Sequence, residues 1–119
     1  MADSTTTPSP QDVERILRDY QMIQEQIRAY SMQVDQLTVQ KSELDAAKEE
    51  VAKATGKVYV TIGGVIVETS KDTALKNIDE KKESGEIRVQ STTKQLNELK
   101  AKEKKLRDEI TALSSKMQQ

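Results

Sequence analysis

Whatever chemistry this chain performs must use carboxylates, lysines, arginines, hydroxyls and three tyrosines, because its 119 residues include no His and no Cys. Cysteine-free sequence has no disulfide framework, thiolate metal site or thiol nucleophile, and it fits a reducing, cytoplasmic setting. Glu49-Glu50 is an example of a carboxylate pair suited in type to acid–base work. It falls on a solvated helix face, with no cavity to move a carboxyl pKa towards neutrality. Gly56-Lys57 follows a helix instead of joining a strand to a helix, so it is no phosphate loop. Gly63-Gly64 lacks the remainder of a dinucleotide fingerprint, and no calcium-loop spacing occurs. The reading is a non-enzymatic protein with no cofactor and no metal. Its chemistry is binding.

The elements that would carry such binding follow from the balance of residues. Charged residues make up 33% and hydrophobic ones 34%, with no Phe or Trp, so a compact core built on large aromatics is not available. Apolar residues this sparse must lie along narrow stripes, the habit of long helices and coiled coils. Lys plus Arg total 19 against 20 for Asp plus Glu, which removes the basic footprint of a nucleic-acid binder. No run reaches the eighteen or so apolar residues of a membrane span, and MADSTTTPSP lacks the basic start and apolar stretch of a signal peptide. Neither nucleic acid nor membrane is expected as a partner.

Residues 1–8 are expected to form a disordered tail, and 9–119 one structural unit. In Ser9-Pro10-Gln11-Asp12 an N-cap hydroxyl precedes a proline at the first helical position and an acid shortly after. From there Val13, Ile16, Tyr20, Ile23, Ile27, Tyr30, Val34, Leu37, Leu44 and Val51 recur at alternating steps of three and four, with Lys41 and Lys48 at the two polar steps. That is a heptad seam with Val13 at an a position and Ile16 at a d position. A helix over 9–55 follows, ending near Gly56 as a left-handed cap residue. After residues 57–69, Ser70 caps a second helix over 70–118. Its seam runs through Leu75, Ile78, Val89, Leu96, Leu99, Leu106, Ile110, Leu113 and Met117, with Lys82, Gly85, Thr92 and Glu103 at polar steps. Folding the chain back at Gly63-Gly64 brings Val51 level with Leu75, Leu37 with Val89, Tyr30 with Leu96 and Ile16 with Ile110. The fold class is therefore mainly α: a long antiparallel coiled-coil hairpin of two helices.

The segment between the helices, VYVTIGGVIVETS, alternates at period two on either side of Gly-Gly, which suits a tight primed turn. With Ile62 opposite Val65, one face carries Val58, Val60, Ile62, Val65 and Val67, and the other Tyr59, Thr61, Ile66 and Glu68. An isolated two-stranded ribbon is marginal in water, and apolar open edges invite further strands. Within one chain this face has almost nothing to bury against. Val58, Tyr59, Val60, Ile62, Gly63, Gly64, Val65, Ile66 and Val67 are thus expected to join copies from several chains into an intersubunit β-barrel.

Helix, short β-hairpin, antiparallel helix resembles the layout of prefoldin subunits, and a single hairpin resembles the beta class. The specific part is Val58-Tyr59, Ile62-Gly63, Val67, Thr69 and Lys71-Asp72, similar to a stretch of archaeal beta subunits. Val60 and Glu68 stand where lysines are common in that class, and Gly85 is a point where the second helix could bend. The resemblance implies a hexamer of two alpha-type and four beta-type subunits, with hairpins forming a double barrel and coiled coils projecting from it. It further implies capture of non-native protein at the coil tips without ATP, and delivery to a group II chaperonin.

At those tips the first and last helical turns bring together Val13, Ile16, Leu17 and Tyr20 with Leu106, Ile110, Leu113 and Met117. Leu17 at an e position and Met22 at a c position lie off the seam. Should the last turns part, the seam residues become an adaptable apolar groove for unfolded segments. The alternative function is a static coiled-coil adaptor or spacer that binds one folded partner and does not suppress aggregation.

Overall fold

A computed structural model describes residues 9–117, with the side chain of Met117 outside that description. The expected disordered tail over 1–8 lies outside the described residues, as does residue 118 of the expected second helix. The chain order is α1 (Pro10–Lys53), β1 (Val58–Ile62), β2 (Val65–Thr69) and α2 (Lys71–Met117).

Both helices start on a serine. The Asp12 amide donates to Ser9 Oγ at 3.1 Å, which satisfies one of the first-turn N–H groups that have no partner inside the helix. Ser70 repeats the device: its Oγ accepts from the Thr73 amide at 3.1 Å and donates to Thr73 Oγ1 at 2.8 Å. Asp12 and Asp72 add negative charge where the helix dipole favours it. The end of α1 departs from expectation. Gly56 is not in the left-handed region, where only Gly63 and Gly64 lie among the described residues. The Ala54 amide instead donates to the Val51 carbonyl at 3.1 Å, a tightened last turn that uses up one of the free C-terminal carbonyls. α2 continues unbroken through Gly85.

β1 and β2 pair antiparallel, with Val58 opposite Thr69, Val60 opposite Val67 and Ile62 opposite Val65. Gly63 at φ 55° and Gly64 at φ 83° form the turn. Positive φ at both central positions matches the twist of the strands, and glycine adopts it without a Cβ clash.

The chain divides into two compact units. The first contains residues through Met32 and from Thr93 onward. In it Val13, Ile16, Tyr20, Ile23, Ile27 and Tyr30 are half-buried on α1, as are Leu99, Leu106, Ile110 and Leu113 on α2, while Leu96 is buried. Its ion pairs among the described residues all run along one helix: Glu14–Arg18, Glu103–Arg107 and Lys104–Asp108.

The second unit is Gln33–Thr92. Leu37 and Thr92 are buried in its coiled-coil portion, where Val34, Leu44, Val51, Leu75, Ile78 and Val89 are half-buried. Next to the hairpin, Val58 and Ala74 are buried. Three ion pairs cross between the helices here: Lys41–Glu86, Lys48–Asp79 and Lys82–Asp45. Each seam lysine leaves the apolar stripe and reaches an acid one position beyond the facing step, so its stem covers apolar surface while its head stays wet.

Candidate functional site

On the hairpin, exposure divides the apolar face in two. Val58, at the start of β1, is 8% exposed and Val60 is half-buried. Towards the turn, Ile62 and Val65 are each 61% exposed. The expectation that this face has almost nothing to bury against within one chain is therefore corrected at its helix end, where the chain buries Val58 itself. On the second face Tyr59 is exposed, and Ile66, at 72%, is more exposed than Ile62 or Val65. Tyr59 pairs with Glu68 and Thr61 with Ile66, so Tyr59 and Ile66 are diagonal neighbours, close enough for an aromatic ring to bridge. The sheet has two strands only, so the outer edge of each is unpaired among the described residues. Lys57 approaches Glu68 at 3.8 Å and carries the only charge pairing on the ribbon among the described residues. Isolated exposed aliphatic residues are ordinary on protein surfaces, whereas these lie together on a ribbon with open edges, where further strands can pair.

At the other candidate surface, Val13, Ile16, Tyr20, Leu106, Ile110 and Leu113 are half-buried, and Leu17 is exposed. The seam residues thus close the pair of helices in this conformation, and Leu17 stands outside it. The side chain of Met117 falls outside the described residues. Sequence reasoning passed over a neighbouring feature, a cleft of about 330 Å³ floored by Met22, Ile23 and Leu106 and walled by Lys102 and Lys105. Met22 was recognised as lying off the seam, but its companions were not. The available signal was the set of g and c heptad positions on both helices, which share one side of an antiparallel pair.

The ion pairs of the second unit were also only half visible. Lys41, Lys48 and Lys82 stood out as polar steps, whereas Asp45, Asp79 and Glu86 did not. Lys82 Nζ lies 2.6 Å from Asp45 Oδ1 and Lys48 Nζ 2.8 Å from Asp79 Oδ1. The hydrogen bond from Lys82 holds the Asp45 carboxyl below its ordinary range, partial burial opposes the shift, and the charges of Lys82, Lys41 and Lys48 reinforce it. The same bond raises the Lys82 ammonium, with Asp79 and Glu86 adding to the pull. These groups build the coil. Among the described residues no cluster of acidic side chains could hold a metal ion. No helix is long and apolar enough to cross a membrane, among the residues described.

Comparison with known proteins places this arrangement. A family model described as prefoldin subunit matches residues 14–117. The prefoldin subunit beta of Pyrococcus furiosus is 32% identical over 111 residues, covering 92% of this chain and 89% of that one. That of Methanosarcina acetivorans is 28% identical over 116 residues, covering 95% and 99%. The crystal structure of the prefoldin beta subunit from Thermococcus strain KS-1 superposes with a TM-score of 0.77 at 29% identity, covering 90% of this chain and 94% of that one. The matched span takes in both helices and the hairpin together, so the chain belongs to the prefoldin family of chaperone subunits, among its beta-type members.

Proposed function

We propose that this chain is one subunit of a hetero-oligomeric, ATP-independent holdase. Its hairpin joins those of neighbouring subunits in a double β-barrel, in a complex of two alpha-type and four beta-type chains. The observation that carries this reading is the exposure of Ile62, Val65, Ile66 and Tyr59 on a ribbon with two open edges. Closing such ribbons edge to edge satisfies the backbone donors and acceptors and removes the apolar face from water. Tyr59, Val60, Ile62, Gly63, Gly64, Val65, Ile66 and Val67 serve that contact, and Val58 supports it from within the chain.

The free helix ends take the client. Val13, Ile16, Leu17, Tyr20, Leu106, Ile110, Leu113 and Met117 offer Leu, Ile and Met contacts that repack around unrelated sequences. Opening the ends is favoured by the charge layout, since the first unit has no ion pair between its helices among the described residues. The client is non-native protein in the cytoplasm, and the receiver is a group II chaperonin.

Native mass measurement of the chain alone and with an alpha-type subunit, together with light scattering of a diluted unfolded client, tests both halves. A defined hetero-oligomer that suppresses scattering at near-stoichiometric amounts without ATP is expected. Assembly with unabated client scattering would favour a static coiled-coil spacer.

A further inference from the structure

Within the Gln33–Thr92 unit, one layer of the coiled coil carries no apolar side chain. Its two seam positions are Lys41 and Gly85. Lys41 leaves the seam for Glu86 at 3.8 Å, and a Cβ built on Gly85 would meet nothing within 4 Å. Leu37 and Val89 lie on one side of the missing layer and Leu44 on the other. The result is a cleft of about 320 Å³ with these three side chains as an apolar floor. A dry cavity of roughly half that volume holds a benzene ring in a helical protein, and ligand pockets in general begin near this size.

The charges around the opening are unequal. Lys41, Lys81 and Lys82 line the cleft, with Glu86 the one carboxylate among its lining residues. Lys82 is held by Asp45 at 2.6 Å and Lys41, more loosely, by Glu86. Lys81 has no carboxylate within 4 Å among the described residues. One cation is therefore left uncompensated beside an apolar gap.

We propose that this cleft binds a small apolar anion: one or two fused rings, or a short acyl chain, carrying a single carboxylate or sulfonate charge. The apolar part fills the layer that Gly85 leaves without a side chain, and the charge meets Lys81. The site shares no residue with either surface proposed above and needs neither barrel assembly nor client capture.

The test uses the full chain with methyl-labelled Leu, Val and Ile, titrated with 1-naphthalenesulfonate and, separately, with decanoate. Naphthalenemethanol serves as the uncharged control. Saturable shifts centred on Leu37, Leu44 and Val89 methyls are expected, with one ligand per chain. Gly85→Leu fills the layer and should weaken binding at least ~10-fold, the loss of one well-buried apolar contact set. Gly85→Ala, which fits the open space and keeps the helix, should weaken it less. Lys81→Gln should lower affinity for the anions about two- to fivefold and leave the uncharged control unchanged, as suits a solvent-screened charge contact. A response to only one of the two anions would identify which apolar body the gap accepts and still support the site. Shifts centred on Ile62, Val65 and Ile66, or on Leu106, Ile110 and Leu113, would overturn the proposal. So would unchanged binding in Gly85→Leu, absence of binding at millimolar ligand, or a gap that in the assembled complex is occupied by a neighbouring chain.

Discussion

Lys82 Nζ lies 2.6 Å from Asp45 Oδ1, although the seam layer at that level pairs Lys82 with Leu44. The lysine sits in the stripe by position and outside it by contact. Its side chain is only 22% exposed while its charge is answered by an acid flanking the seam on the partner helix. Three such crossings in one unit fix the helices' mutual register without closing the seam to polar residues.

The pair has a defined pH window. The Asp45 carboxyl is depressed from 3.8, so its contribution is fully present above that value and fades as pH falls through the lower folded value. The Lys82 ammonium is raised from 10.5, so its contribution is complete below that value and fades as pH rises through the higher folded value. A Lys82→Met, Asp45→Asn double variant should differ from the parent by a constant few degrees of melting temperature between those limits. The difference should shrink outside them. Because both groups are solvent-screened, high salt should reduce it as well.

Charge placed on the exposed end of the ribbon should block assembly without unfolding the helices. Ile62→Lys with Val65→Lys is expected to leave helical circular dichroism unchanged and to reduce the native mass from oligomer to monomer. Val58→Ala acts differently because Val58 is buried in its own chain. It should cost about 1–3 kcal/mol of subunit stability through lost transfer energy and a residual cavity, visible in thermal melts of the isolated subunit.

The turn depends on two positive dihedrals. Gly63→Val or Gly64→Val should each cost about 1–2 kcal/mol, the penalty for a Cβ in the left-handed region. The concentration at which subunits assemble should rise accordingly. Gly63→Asn, whose side chain tolerates that region, should be milder. Equal effects from Val and Asn would argue against a conformational cause.

Polar substitutions at the helix ends should separate holding from assembly. Leu17→Ser with Ile110→Ser is expected to keep the native mass of the complex and to lose most suppression of client scattering. Full suppression by this variant would remove these residues from the client surface.

Leu37→Ala should cost about 2–5 kcal/mol, as for other truncated core leucines, because Leu37 is 6% exposed. Ile87→Ala, on an exposed outer face, should stay within about 0.5 kcal/mol of the parent.

Much of this architecture was legible in residue order because heptad spacing, serine caps and Gly-Gly are local signals with direct geometric meaning. Gly63-Gly64 fixed the strand register, and the two seams could be compared across it. Misreadings arose where a second, non-local choice decided the outcome. Gly56 could have ended α1 as a left-handed cap, but the bond from Ala54 to Val51 ended it first. Val58 and Ile62 look alike on one strand face, and only the packing around the helix junction distinguishes a buried residue from an exposed one. The partners of the seam lysines were missed because they stand one residue beyond the facing layer, a displacement that spacing along one helix cannot show. The cleft by Met22 needed side chains from both helices at once.

In every strand pair and every ion pair that crosses between the helices among the described residues, the two residue numbers add to the same total. A two-residue turn therefore sets the alignment out to Lys41 and Glu86. One residue gained between Lys48 and Lys53, inside the first helix, would rotate the part before it by about 100° and break all three crossings together. Length changes in this stretch of the gene are tolerable only when matched on the opposite arm, so lineages should inherit insertions here in mirrored pairs.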